Sequence, residues 1–261
     1  MSQNVQSLFA GAKAGGDIGA GAFKVLAIPD LGAQIQAGLG AITPDDVGSS
    51  EVTLVTLLID DSGSIQSAGN EQMVRDGANL IIKALSESKQ ADSVLISIRY
   101  LNGTVLFPYA SLKQAILLDG ANYAGTGGTP LYDQSVVTLG QVLAKAQEFS
   151  DGGIVCRSVS ALITDGADLS SRKADAKDVA KVVNDMRRSE NHIVIGMGIS
   201  DGYTDFQRVF SEMGVDPKWV LTPGNTESEI RKAFAVVSQS AVRASQSAKS
   251  FSQAAGAGFT V

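Results

Sequence analysis

Cysteine and histidine are nearly absent from this chain of 261 residues, each occurring once, as Cys156 and His192. A lone cysteine excludes an internal disulfide, and a reducing, cytoplasmic location is the expectation. Long apolar runs are missing too. The longest, Val52 to Ile59, is interrupted by threonine and far too short to cross a bilayer. Basic excess is also lacking: 21 Lys and Arg stand against 27 Asp and Glu, a net charge of −6. Such a chain has no electrostatic footprint for a nucleic-acid backbone, and no Lys/Arg run long enough to hold an anionic membrane. Neither nucleic acid nor membrane is expected as a partner. The first thirty residues carry Lys13 and Lys24 but no continuous apolar stretch, so no secretory signal is expected.

What is present is enough apolar material for a real core, 44% of residues, which rules out a wholly disordered or coiled-coil chain. Residues 1–50 hold nine Gly and nine Ala but six charged residues, with weak apolar clusters at Phe23 to Ile28 and Leu31 to Leu39. They read as an N-terminal extension that is mobile, or that docks on the main domain or a partner. Residues 51–237 read as one domain. Residues 238–261, rich in Ser, Ala and Gln and without an acidic residue, read as a helix end fraying into a tail.

Within 51–237, strand-like and helix-like segments alternate. Glu51 to Asp60 is a nearly unbroken β-branched and Leu run, as expected of a central strand covered on both faces. Ser93 to Leu101 and Thr104 to Tyr109 flank Asn102-Gly103, a strong hairpin signal. Gly153 to Thr164, His192 to Ile199 and Trp219 to Leu221 supply further strands. Helical spacing runs over Glu71 to Ser88, Leu131 to Phe149, Ala174 to Arg188 and Thr204 to Glu212. Thr226 and Glu229 form a capping box before a last helix whose buried face is Ile230, Ala233, Val237 and Ala241. The pattern predicts an α/β fold: a doubly wound, mostly parallel central sheet with one antiparallel edge strand and helices on both faces.

In such sheets ligands bind beyond the carboxyl ends of the strands, where strand order reverses. Three segments meet that description: Asp60-Asp61-Ser62-Gly63-Ser64, Gly127-Gly128-Thr129-Pro130, and Thr164-Asp165-Gly166-Ala167-Asp168. Asp60 and Asp165 offer carboxylates, and Ser62, Ser64 and Thr129 offer hydroxyls. Hard oxygens without imidazole or thiolate suit Mg²⁺, Mn²⁺ or Ca²⁺. A lone Asp-x-Ser-x-Ser is ordinary loop chemistry, since Asp and Ser make turns and caps. It is the three segments together, in this order, that point to a cation.

Asp60-x-Ser62-x-Ser64, Thr129 after two glycines, and Thr164-Asp165-Gly166 resemble the complete metal-ion-dependent adhesion site of von Willebrand factor A domains. The resemblance covers roughly residues 51–237. It implies a non-enzymatic adaptor in which Asp60, Ser62, Ser64, Thr129 and Asp165 hold a divalent cation, which grips an Asp or Glu of another protein. Intracellular members work beside AAA+ ATPases or in bacterial stress and conflict systems, and Val236 to Ser240 resembles the tellurium-resistance-associated type.

Other readings fit less well. A haloacid-dehalogenase-type phosphotransferase would use Asp60 as nucleophile with Asp165-Gly166-Ala167-Asp168 on magnesium, but needs an aspartate where Ser62 stands. Gly198-Ile199-Ser200-Asp201-Gly202 matches a nucleophile elbow in form, yet His192 precedes Ser200, so no base follows it in the order that fold requires. Gly125 to Thr129 lacks the Lys of a phosphate loop. Cys156 reads as a small core residue. A structural alternative is an assembly subunit whose residues 1–50 reach a neighbour.

Overall fold

The computed structural model describes residues 4–259; residues 1–3 and 260–261 of the two terminal segments lie outside the described residues. The strands are β1 (Glu51–Ile59), β2 (Val94–Tyr100), β3 (Val105–Ser111), β4 (Val155–Thr164), β5 (His192–Gly198) and β6 (Val220–Leu221). The apolar run of β1 is buried from Val52 onward, so it lies mid-sheet, pairing in parallel with β2 on one side and β4 on the other. Beyond β2, the Asn102-Gly103 turn, with Gly103 at φ 92°, returns the chain as antiparallel β3. Among the described residues the order is β3-β2-β1-β4-β5-β6, parallel except for β3. The predicted sheet is therefore observed, and its order reverses between β1 and β4.

Along the chain the helices are α1 (Val5–Gly15), α2 (Ala20–Leu26), α3 (Pro29–Gly38), α4 (Gly63–Ser67), α5 (Glu71–Ser86), α6 (Leu131–Asp151), α7 (Ala176–Arg188), α8 (Phe206–Glu212), α9 (Glu227–Ser245) and α10 (Ala248–Ala257). Helices α5 and α9 cover one face of the sheet, with α10 packed on α9, and α6, α7 and α8 cover the other. The predicted stripe Val74, Ala78, Ile81 and Leu85 of α5 is buried, as is Ile230, Ala233, Val237 and Ala241 of α9. The Thr226 hydroxyl caps α9 by accepting from Glu229 N at 3.3 Å, and it donates to the Glu229 carboxylate at 2.6 Å, so the N-cap is made while the reciprocal bond of a capping box, to the Thr226 N–H, is replaced by one to its hydroxyl.

The first terminal segment takes the docked course that the sequence left open, and the last departs from its reading. Residues 5–39 form a third layer, with α1, α2 and α3 packed outside α6 and α7. None of the three helices is long enough to stand alone in water. Against α6 they bury Leu8, Phe9, Leu26, Leu31 and Ile35. Helix α6 is consequently buried on almost every side, rather than along one stripe. At the other end, residues 238–259 do not fray. The Ser247 hydroxyl caps α10 by accepting from Ser250 N at 3.1 Å, Phe251 is buried, and Phe259 meets Trp219 edge-on with ring centroids 4.9 Å apart. Among the described residues no helix is long and apolar enough to cross a membrane.

Candidate metal centre

The order reverses between β1 and β4, so the loops that follow these strands stand at the carboxyl edge, in the crevice position of such sheets. Asp60 leaves β1 there, bonded through its N–H to the Ile163 carbonyl at 2.9 Å. Its side chain is 0% exposed. One carboxylate oxygen accepts from Ser62 N at 2.8 Å; the other accepts from the Thr164 hydroxyl at 2.6 Å and Asp165 N at 3.4 Å. The Tyr123 hydroxyl donates to the Asp60 carbonyl at 2.5 Å. Asp60 is thereby held in one rotamer from three directions.

A chain of oxygens runs from it. The Ser62 and Ser64 hydroxyls are 2.8 Å apart, and Ser64 donates to Asp165 Oδ1 at 2.6 Å. Ser64 is exposed while Ser62 and Asp165 are buried, so the chain leads from the interior to the surface. The segment before α6 lies alongside: Ser62 and Gly127 form a parallel bridge, with Gly127 N bonded to the Asp61 carbonyl at 2.9 Å and Gly63 N to the Gly127 carbonyl at 3.1 Å. Gly125 permits this approach, because a Cβ there would stand 2.8 Å from the Ser62 carbonyl oxygen.

The structure thus brings Asp60, Ser62, Ser64 and Asp165 into one hydrogen-bonded group. Thr129, two residues past the bridge and buried, is not bonded to them; its hydroxyl makes no hydrogen bond among the described residues. The residue is buried as a whole, but its oxygen is not among the enclosed unpartnered atoms, so it can be reached by a ligand.

Electrostatics make the group a place for positive charge. Burial, with the negative charges of Asp60 and Asp201 added, pushes the Asp165 carboxyl up to about 6. Burial first, and Asp60 next among the raising causes, do the same to Asp61, also to about 6. Crowded, desolvated carboxyls beside neutral hydroxyls fit a hard divalent cation, which would offset their repulsion. Among the described residues no three His, Cys, Asp or Glu side chains gather as a metal cluster, so a cation at this edge has to take hydroxyl donors as well.

Four further residues surround the group. Asp61 accepts from Asn102 N at 3.0 Å, pinning the β2–β3 turn to this edge. Asp168 accepts from Tyr132 N at 3.2 Å at the start of α6. Thr164 was legible only as part of Thr-Asp-Gly, and Tyr123, in an irregular segment, carried no signal. His192 sits at the opposite end of β5 from Ser200, with its Nδ1 2.8 Å from the Ser158 hydroxyl. Burial pushes its imidazolium down to about 4.

No family model matches the sequence, and no curated protein matches it. Solved structures do resemble the fold. The open conformation of the pilus adhesin SpaC from Lactobacillus rhamnosus GG matches 74% of this chain and 30% of its own, at 12% identity and a TM-score of 0.54. A von Willebrand factor type A structure from Catenulispora acidiphila matches 74% of this chain and 43% of its own, at 13% identity and a TM-score of 0.50. The chain has the von Willebrand factor A fold. Proximal thread matrix protein 1 from the mussel byssus, with a zinc-occupied MIDAS motif, matches 73% of this chain and 46% of its own at 14% identity and a TM-score of 0.49. The chain spans less than half the length of each of these three. At these identities the likeness establishes the von Willebrand factor A architecture, and the metal centre stands on the side chains themselves.

Proposed function

We propose that this chain is a divalent-metal-dependent protein-interaction module of the complete adhesion-site type, taking Mg²⁺ or Mn²⁺ on Asp60, Ser62, Ser64, Thr129 and Asp165. The observation that carries the reading is the bonded series Asp60, Ser62, Ser64, Asp165 at the strand-order reversal, with Thr129 following two residues after the Ser62–Gly127 bridge. A bound cation would supply a Lewis-acidic point for an outside carboxylate. The protein's own contribution is to hold two carboxylates and three hydroxyls in place, leaving the exposed side at Ser64 open to an Asp or Glu of a partner. The surroundings suit a protein surface. Leu169 and Tyr203, 84% and 97% exposed, stand on the loops after β4 and β5, at the same edge.

The adaptor role, a cytoplasmic setting, the tellurium-resistance-associated type and an AAA+ ATPase or stress-system component as partner belong to this proposal and rest on the motif's resemblance. Absence of catalysis belongs to it too. The sole imidazole is at the far edge of the sheet, and a serine occupies position 62. An assembly subunit reaching out with residues 1–50 has less support, since α1 to α3 bury their apolar faces against the chain's own α6 and α7.

Binding to the native state alone raises stability by mass action. Melting temperature is therefore expected to rise with magnesium or manganese and fall with chelator in the wild type, and Asp60→Ala is expected to lose most of that difference while still folding. An unchanged metal response in Asp60→Ala would sink the assignment. Thr129→Ala removes a neutral donor and keeps both aspartates, so partner affinity should fall further than metal occupancy. A complex indifferent to both chelator and Thr129→Ala would place the interface elsewhere.

A further inference from the structure

Thr129 and Asp165 reach the crevice from separate segments, the start of α6 and the loop after β4, yet hydrogen bonds make those segments one body. Leu169 N and Ser170 N both donate to the Thr129 carbonyl, at 3.1 and 3.3 Å. Asp168 Oδ1 accepts from Tyr132 N at 3.2 Å and from the Ser171 hydroxyl at 2.5 Å, and that hydroxyl accepts from Asp133 N at 2.9 Å. Asp133 closes the arrangement. Its buried carboxylate collects three consecutive backbone amides of the loop: Arg172 N at 2.9 Å on Oδ2, and Lys173 N and Ala174 N at 3.0 and 2.7 Å on Oδ1. An aspartate in the first turn of a helix is ordinary, but here its acceptors face another segment rather than its own helix.

The bonding between this body and the β1 loop is sparser at the side-chain level, resting on Ser64 to Asp165 and on Thr164 and Asp165 N to Asp60. We propose that Asp133 is the positioning residue of the metal centre, tying the Asp165 loop to Thr129 so that these two donors keep one separation. It touches none of the five candidate ligands by its side chain and acts through the amides of 172–174. This inference rests on the metal reading above. If it holds, loss of Asp133 lets Thr129 and Asp165 drift apart, and affinity for the cation falls although every ligand is still present.

The test is manganese titration of the full chain followed by electron paramagnetic resonance, with a melt of each variant in chelator. Residues that orient metal ligands typically contribute about 10- to 100-fold in affinity, and Asp133→Ala should lose affinity in that range. Asp133→Asn keeps the oxygen facing Lys173 and Ala174 but sets an NH₂ against Arg172 N, so its loss should be smaller. Asp175→Ala removes the nearby cap of α7, where Asp175 Oδ1 accepts from Asp178 N at 2.9 Å, and serves as the control: its melt should drop while its manganese affinity stays at wild type. If Asp133→Ala does not fold, Asp133→Asn and Ser171→Ala carry the test. Wild-type affinity in the folded Asp133 variants, or an equal loss in Asp175→Ala, overturns the proposal. Failure of the metal reading looks different: manganese then binds Asp60→Ala as it binds wild type, or binds neither.

Discussion

Asp165 and Asp61 make the crevice sensitive to pH. Both carboxyls are held near 6 in the fold, against an ordinary 3.8, chiefly because they are buried. Between about pH 4 and 6 the folded protein keeps protons that the unfolded chain has released, so these two groups make stability fall as pH rises through that window. A cation competes with the same protons. The rise in melting temperature that manganese produces should be small below about pH 6 and grow above it. A manganese effect that is flat across that range would remove Asp165 from the ligand set. Arg99 shows a different solution to burial. Fully buried, with its guanidinium pushed down to about 10 by desolvation, it has no carboxylate partner among the described residues and donates instead to the carbonyls of Gln34 and Gly103, at 2.5 and 3.2 Å. It stays charged at neutral pH. Its charge faces oriented backbone dipoles, one of which belongs to α3.

Helix packing can be tested at Gly77. A Cβ there would stand 2.2 Å from the Phe234 ring, the contact that sets how closely α5 approaches α9. Alanine in a helix interior ordinarily gains about 1 kcal/mol over glycine, while forcing a methyl into a packed core costs about 1–3 kcal/mol. Gly77→Ala should therefore destabilise on balance, lowering the urea midpoint at unchanged slope; a rise would show that α9 yields easily. The strands and long helices were legible because each carries its own period: β1 reads as fully buried, and α5 as an amphipathic stripe. Helix α10 was not, since Ser247, Phe251 and Ala254 make a weak pattern, and its docking depends on Trp219, far away in sequence, meeting Phe259. The all-round burial of α6 was equally hidden. Its residues name one face for the sheet but not what arrives on the other.

At the scale of the molecule, the third layer is part of the core. Gly140 of α6 lies so close to Ile35 and Leu26 that a Cβ would be 2.8 Å from either side chain, and Lys145 donates to the Ile42 carbonyl. Each large apolar side chain buried there contributes about 1.5–3 kcal/mol, and total stability is about 5–15 kcal/mol. Removal of residues 1–42 should abolish a cooperative melt. A truncated chain that melts sharply near the wild-type temperature would show that α1 to α3 are dispensable decoration. The sequence by itself determined what is local or periodic: the alternation of strand and helix, the antiparallel edge at Asn102-Gly103, and the order in which Asp60, Ser62, Ser64, Thr129 and Asp165 arrive at one edge. Tertiary structure alone decided which surfaces meet. It set α1 to α3 over α6, turned Asp61 toward Asn102, and handed the carboxylate of Asp133 three amides some forty residues away. Periodicity reports whether a face is apolar and turn residues report where the chain bends. The partner of a buried polar group follows from long-range packing, which no short stretch of sequence encodes.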